Sequence, residues 1–370
     1  MDRLQLFFVL LLFLGWSSQD CPCSNVTLCN PLTIGNRKEM YAFQTNINNW
    51  KMYNWDELTT VALFDGLDND MLCYAHSKEV RVVWEANYPT DQLTNETYQD
   101  EWVNNWVQKV QDTYTDGVNV DYESPINQTD QINGYTQLIQ KLTDAIHSNI
   151  PGSQVTADVA WSPDCIDGRC YDYAGVANAS DFVIVMDYDE RSQIFEGPPC
   201  YAGPNSPITG LNSGMQAFFE LGIPKSKLVM GIPWYGYKYP CSSPPDGSGA
   251  CEIESVPFRG VACSDAAGSE VCYSGIETIL NSSGATVHYT KEASPYFNVV
   301  DDSGAVTQYW FDNPASLAVK YEYAVQENLR GMAMWNIDCL DYFSTNPVTQ
   351  QQTARMWNVF NTFFAQLKNQ

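Results

Sequence analysis

The chain has 370 residues, 44% of them hydrophobic and 13% aromatic; this is too apolar for a disordered chain and enough for one large domain with an insert, or two domains. Its formal net charge is −25. A field of that sign repels phosphate backbones and anionic bilayers, which argues against nucleic acid as a partner and favours a neutral ligand, or an acidic compartment that eases the self-repulsion.

In chain order, the first feature is "MDRLQLFFVLLLFLGWSS". Arg3 precedes an apolar run from Leu4 to Leu14, then small residues follow. The run is too short to span a bilayer and has the order of a secretory signal, so residues 1–17 are expected to be removed. No later stretch is apolar enough to insert in a membrane, and the mature chain is expected to be a monomer. All 12 cysteines lie beyond the signal, and an even number in a secreted chain points to disulfides. Cys165 and Cys170 are close enough to staple a loop, but pairing cannot be read from sequence. The three histidines, His76, His147 and His288, stand away from any cysteine pair, so no metal is expected. N-x-Ser/Thr sequons at Asn25, Asn95, Asn127, Asn178 and Asn281 mark expected surface positions for glycans.

Short apolar strands then alternate with helical periods. The strands are predicted at Met40–Thr45, Val61–Phe64, Arg81–Ala86, Gly117–Asp121, Val155–Trp161, Phe182–Met186, Leu228–Ile232 and Gly331–Trp335. Between them, "DEWVNNWVQKVQ" lines Trp102, Val103, Trp106, Val107 and Val110 on one helical face. "GYTQLIQKLTDAI" does the same with Tyr135, Leu138, Ile139, Leu142 and Ile146. So does the C-terminal "RMWNVFNTFFAQL". Eight strands alternating with helices predict an α/β fold, a (β/α)8 TIM barrel, occupying residues 18–237 and 311–370. An open doubly wound sheet is the alternative, but "YAFQTNINNW" lacks a Gly-rich phosphate loop after the first strand. Residues 238–310, rich in Cys, Gly and Pro, read as a small α+β insertion between strand 7 and its helix.

The most informative stretch is "DGVNVDYES", Asp116 to Ser124. Alternation along a strand puts Asn119, Asp121 and Glu123 on one face and Val118 and Val120 on the other. In a barrel, that polar row enters the interior and climbs toward the C-terminal mouth, where active sites sit. Glu123 should lie at the mouth, Asp121 below it and Asn119 deeper. Neighbouring carboxyls disfavour a second negative charge and so hold a proton between them, which suits general-acid cleavage of a glycosidic bond. A solvated strand end without catalytic work is the plain alternative.

Other strand ends offer partners. Met186 and Tyr188 close the sixth strand in "VMDYDE", with Asp189 beside them; Trp335 closes the eighth. Trp234 and Tyr235 follow the seventh. Sugars present C–H faces that stack on aromatics, so each of these rings is a candidate substrate contact, and each could equally be core.

"DGVNVDYE" resembles the DxxDxDxE signature of glycoside hydrolase family 18, the chitinase family. Asp116, Asp121 and Glu123 match, while Asn119 stands where most chitinases have Asp. Further stretches, among them "GSQVTADVAWSPDCIDGRCYDY", "FVIVMDYDE", "LVMGIPWYGYKY" and "GMAMWNIDCLDY", are similar to a lysosomal branch of that family in which Asn is the expected residue there. The resemblance implies N-acetylglucosamine oligosaccharides as ligands, no cofactor, and hydrolysis of the chitobiose core of asparagine-linked glycans from the reducing end. It implies Glu123 as acid and base, Asp121 as guide of the substrate's acetamido N–H, and Tyr188 as partner of the acetamido carbonyl. Met186 and Trp335 would pack around the sugar. Asn119 would donate a hydrogen bond to Asp121. A secreted endo-chitinase, or a lectin of the same fold that binds without cutting, are the rival readings.

Overall fold

The computed structural model describes residues 20–245 and 249–370; the expected signal segment, residues 1–17, lies outside them. Eight strands close a parallel barrel: β1 (Glu39–Gln44), β2 (Thr60–Leu63), β3 (Arg81–Ala86), β4 (Gly117–Val120), β5 (Gln154–Ala160), β6 (Phe182–Met186), β8 (Leu228–Pro233) and β14 (Gly331–Trp335). Their order round the ring follows the chain, with β14 sealing against β1. Each predicted barrel strand is present, with ends displaced by a residue or so. The short β7 (Cys200–Tyr201) lies outside the barrel.

The connecting helices are α1 (Asn69–Ser77), α2 (Glu96–Thr113), α3 (Thr129–Asn149), α4 (Tyr173–Ala179), α5 (Ile208–Glu220), α7 (Pro314–Gln326) and α8 (Pro347–Lys368). Local chemistry sets their starts. Asn313 caps α7 by accepting from Ala315 and Ser316, Ser316 answers the cap's own N–H, and Pro314 fills the first turn. Asn346 opens α8 by accepting from Val348 N, with Pro347 in the first turn. No helix among the described residues is long and apolar enough to cross a membrane.

Alternation along the strands separates two cores. Tyr41, Phe43, Ala62, Val83, Phe182, Ile184, Val229 and Ala333 fill the barrel. Val118, Val120, Met230, Ile232 and the apolar faces of the helices form the larger outer layer. Strands buried on both faces can be near-continuously apolar, so a polar residue inside one of them carries information.

After β8 the chain builds the insert. β9 (Tyr235–Pro240), β11 (Ser269–Cys272), β13 (Val306–Trp310) and β12 (Tyr296–Val300) form one antiparallel sheet in the order β11-β9-β13-β12. α6 (Tyr273–Ser283) packs beside it, and the short β10 (Glu252–Ile253) pairs with β7. The sheet opens at Tyr235, earlier than the expected boundary at 238, because Trp234 is the only residue between β8 and β9.

All 12 cysteines are paired: Cys21–Cys29, Cys23–Cys73, Cys165–Cys170, Cys200–Cys263, Cys241–Cys251 and Cys272–Cys339. Cys272–Cys339 ties the insert to the segment after β14. The sequon residues Asn25, Asn95, Asn127, Asn178 and Asn281 are all exposed.

Candidate active site

The site grows from β4. Gly117 opens it at φ 150°, and a Cβ there would sit 1.8 Å from the carbonyl oxygen of Gln154, so only glycine lets β4 lie this close to β5. Asn119 then points into the barrel and is fully buried. Asp121 is half-buried above it, and the Glu123 side chain is 51% exposed at the rim. Val118 and Val120 face the helices. Asp116 stands at the foot of the strand, away from this row. It accepts from Val82 N (2.7 Å) and pairs with His76 Nε2 (2.9 Å), a buried brace between α1 and the sheet.

Asn119 does not serve Asp121 as expected. Its Nδ2 donates to Thr156 Oγ1 (2.9 Å) and to Asp158 Oδ1 (3.0 Å). Both partners come from β5: Thr156 lies opposite Asn119, and Asp158 is the next residue on that inward face, two positions further along.

Asp121 lines the same cleft as Glu123, and its Oδ1 has no hydrogen-bond partner among the described residues. Burial, then the charges of Glu123 and Glu85, push it up to about 8, against the opposing pull of Arg169. Asp158 is also pushed up, by burial and by the charge of Asp121, while the Asn119 hydrogen bond pulls it down. Two carboxyls so placed cannot both ionise freely.

Glu123 is held from two directions. Arg169 Nη1 donates to its Oε2 at 2.6 Å, and Arg169 Nη2 donates to Asp167 at 3.0 Å. Tyr171 Oη reaches the carbonyls of Tyr122 (3.0 Å) and Ser124 (2.7 Å), pinning the backbone on either side of Glu123. Both come from the loop stapled by Cys165–Cys170, whose backbone also bonds Ile126.

Met186 and Tyr188 line the cleft from the end of β6, and Trp335 lies nearly parallel to the Tyr188 ring, 6.4 Å between centroids. Among the described residues, the Tyr188 hydroxyl has no hydrogen-bond partner. Asp189 accepts from Tyr235 Oη and from Tyr237 Oη (3.1 Å); burial pushes it up to about 7, those hydrogen bonds opposing. Asp187, between these residues, turns the other way and is fully buried.

Two expected substrate contacts are corrected. Trp234 is fully buried in the outer core, donates to Tyr321 Oη (3.1 Å) and packs edge-on against Trp357 and Phe360. It continues the outward parity of Met230 and Ile232, which sequence alternation alone predicts. Tyr235 is also buried and meets the site from behind, holding Asp189 and packing edge-on against Tyr188.

The cleft, about 220 Å³, thus gathers Asp121, Glu123, Met186, Tyr188, Asp189 and Trp335. Three more residues enter it that sequence reasoning missed: Asp158, Arg169 and Glu270 of the insert strand β11. Asp158 had a signal, since "QVTADVA" alternates polar residues inward as "GVNV" does. Arg169 and Glu270 had none, because loop closure and the insert's fold bring them there. A larger cavity of about 390 Å³ lies around Arg81, His147 and Arg330 at the opposite end of the barrel. The chemistry favours the mouth as the site, since among the described residues paired acids, a free hydroxyl and an aromatic ring converge there.

Comparison with known proteins agrees. The sequence matches the glycosyl hydrolases family 18 over residues 39–339. It is 45% identical over 356 residues to the probable di-N-acetylchitobiase 2 of Dictyostelium discoideum, covering 94% of this chain and 91% of that one. It is 41% identical over 360 residues to the di-N-acetylchitobiase of Rattus norvegicus, covering 96% and 97%. Among solved structures, the Ostrinia furnacalis Group IV chitinase in complex with allosamidin superposes with a TM-score of 0.72 at 19% identity, covering 90% of this chain and all of that one; at that identity it supports the fold alone. With a closed parallel barrel and a matching sequence across nearly its whole length, this chain belongs to glycosyl hydrolase family 18 and is a glycoside hydrolase.

Proposed function

We propose that this enzyme splits the β1,4 bond between the two N-acetylglucosamine residues of N,N'-diacetylchitobiose, with the substrate's own acetamido group as nucleophile. The observation that carries the reading is the company Asp121 keeps: a half-buried carboxyl pushed up by burial and by the Glu123 charge, beside the half-exposed Glu123, with the unpaired Tyr188 hydroxyl and Trp335 in the same cleft. Glu123 protonates the glycosidic oxygen as the C1–O bond breaks. The acetamido carbonyl oxygen bonds C1 from the opposite face, giving a cyclic oxazolinium-like intermediate. Asp121 accepts from the acetamido N–H and offsets its growing positive charge, and Tyr188 donates to the carbonyl oxygen to hold it in line. Water then adds at C1 as the bond from C1 to the acetamido oxygen breaks, Glu123 takes the water's proton, the acetamido group is restored, and configuration is retained. Such a mechanism needs one carboxylic acid and no carboxylate nucleophile.

The relatives' names suggest the substrate, and we infer action from the reducing end on the core of asparagine-linked glycans within the lysosome. The expected signal segment, the exposed sequons and the tolerance of low pH argued below support that address. The test is digestion of a chitin oligomer labelled at its reducing end. Label appearing first in the monosaccharide supports the reading; label first in dimers indicates an endo-chitinase. Glu123→Gln is expected to lower kcat by about 10²–10⁴; equal product release by variant and wild type would remove Glu123 from its role.

A further inference from the structure

The layer of the barrel beneath Asp121 is short of donors. Asn119 Oδ1 and Asp121 Oδ1 are both buried with no hydrogen-bond partner among the described residues. Asp158, only 2% exposed, accepts from one donor among the described residues, the Asn119 amide. Asp121 and Glu123 line the same cleft, and the charge of either one disfavours ionisation of the other. Arg169, whose charge opposes the rise of Asp121, is already engaged by Glu123 and Asp167. The two carboxyls therefore differ. Burial and the charge of Asp121 push Asp158 up, and the Asn119 N–H is the contact that favours its charged form against them; no such donor reaches Asp121 Oδ1 among the described residues.

We propose that Asp158 is a positioning residue for the reaction: an anion, fixed by Asn119, whose charge keeps the catalytic proton on the Asp121–Glu123 pair. The proposal rests on the mechanism above. Its negative charge on the neighbouring strand raises the proton affinity of the pair, so that the proton Glu123 must donate is still present at the working pH. The same charge faces the cation that develops on the substrate. Asn119 is then the residue that makes a buried anion on β5 tolerable. The groups facing Asp158 are Asn119 and Asp121 of β4, Glu123 beyond them, Glu85 of β3, Thr156 of its own strand, Tyr41 of β1, Tyr135 of α3 and Tyr188 of β6. Among these, Asn119 is the group whose hydrogen bond favours the charged carboxyl.

The test is the pH–rate profile with chitobiose for wild type, Asp158→Asn and the exchange Asn119→Asp/Asp158→Asn. Asparagine at 158 keeps the acceptor that Asn119 needs and removes the charge. The basic limb of the profile should move down by about one pH unit and kcat fall on the order of tenfold. The exchange, which restores a carboxyl beneath Asp121 from β4, should recover most of both. A role confined to bracing the barrel would lower the rate without moving the limb, and the exchange would not repair it. An unmoved limb in Asp158→Asn, or an exchange variant no better than the single one, overturns the proposal. If Asp158→Asn does not fold, Asn119→Leu takes its place: stripped of its donor, Asp158 keeps a proton and the limb should move the same way, and an unmoved limb again refutes the idea. Failure of the mechanism is separable. Wild type that releases no product from chitobiose sinks the proposed function, while the infrared band of the protonated carboxyl in substrate-free protein still decides this one: it must persist to higher pH in wild type than in Asp158→Asn, and a band titrating identically in both overturns the proposal.

Discussion

Tyr188 is the residue whose role is easiest to isolate. It is buried in the cleft wall, yet its hydroxyl makes no hydrogen bond among the described residues. A group without a partner in the resting protein adds little to folding when removed, whereas a donor aimed at developing charge is worth two to three orders of magnitude in rate. Tyr188→Phe is therefore expected to lower kcat about 10²-fold and leave the melting temperature within roughly 1 °C of wild type; a large loss of stability with little loss of rate would count against the assigned role. The contrast with Trp234 shows how residue identity alone misleads. Both are aromatics at the mouth of a strand, but Tyr188 shares the inward parity of Ile184 and Met186, and Trp234 shares the outward parity of Met230 and Ile232.

At the scale of elements, the site depends on segments that the barrel alone would not order. The stapled loop carrying Arg169 and Tyr171 fixes Glu123, and the insert supplies Glu270 and the tyrosines that hold Asp189. Cys272–Cys339 closes a 67-residue separation between β11 and the segment after Trp335. By chain entropy, replacing both with serine should cost about 4 kcal/mol in urea unfolding. It should also raise KM, since the insert wall and the Trp335 floor would no longer be fastened together. An unchanged unfolding midpoint and KM would mean that the sheet contacts suffice.

Charge decides behaviour at the scale of the whole molecule. Burial raises Asp121 to about 8, Asp189 to about 7 and Asp265 to about 6. Carboxyls raised on folding favour the folded state fully below the ordinary carboxylate range, near pH 4, and lose that contribution as pH climbs to the folded value. His76 is raised by its hydrogen bond and charge contact with Asp116 despite the larger opposing effect of burial, and His147 by its bond to Asp181. A raised histidine contributes below about 6.5 and loses that contribution as pH rises through the folded value. Both sets have the same sign, and the net charge of −25 adds self-repulsion at neutral pH. The melting temperature should therefore be several degrees higher near pH 5 than near pH 8. Calorimetry across that window checks it, and a rise toward pH 8 would contradict the sign. Such a profile suits an acidic compartment.

The sequence by itself determined the strands, their order and the polar row of β4, because hydrophobic periodicity and two-residue alternation are local and repeat with each strand. It also marked the mouth residues Glu123, Tyr188, Met186 and Trp335, which stand at the ends of those strands. Only the tertiary structure decided which side chains meet laterally. The register of β4 against β5 turned Asn119 from Asp121 to Asp158, disulfide closure brought Arg169 to Glu123, and the insert's pairing set Tyr235 behind Asp189. The physical reason is range: face and depth along one strand follow from backbone geometry, whereas the partner of a buried polar atom depends on which distant segment closes over it.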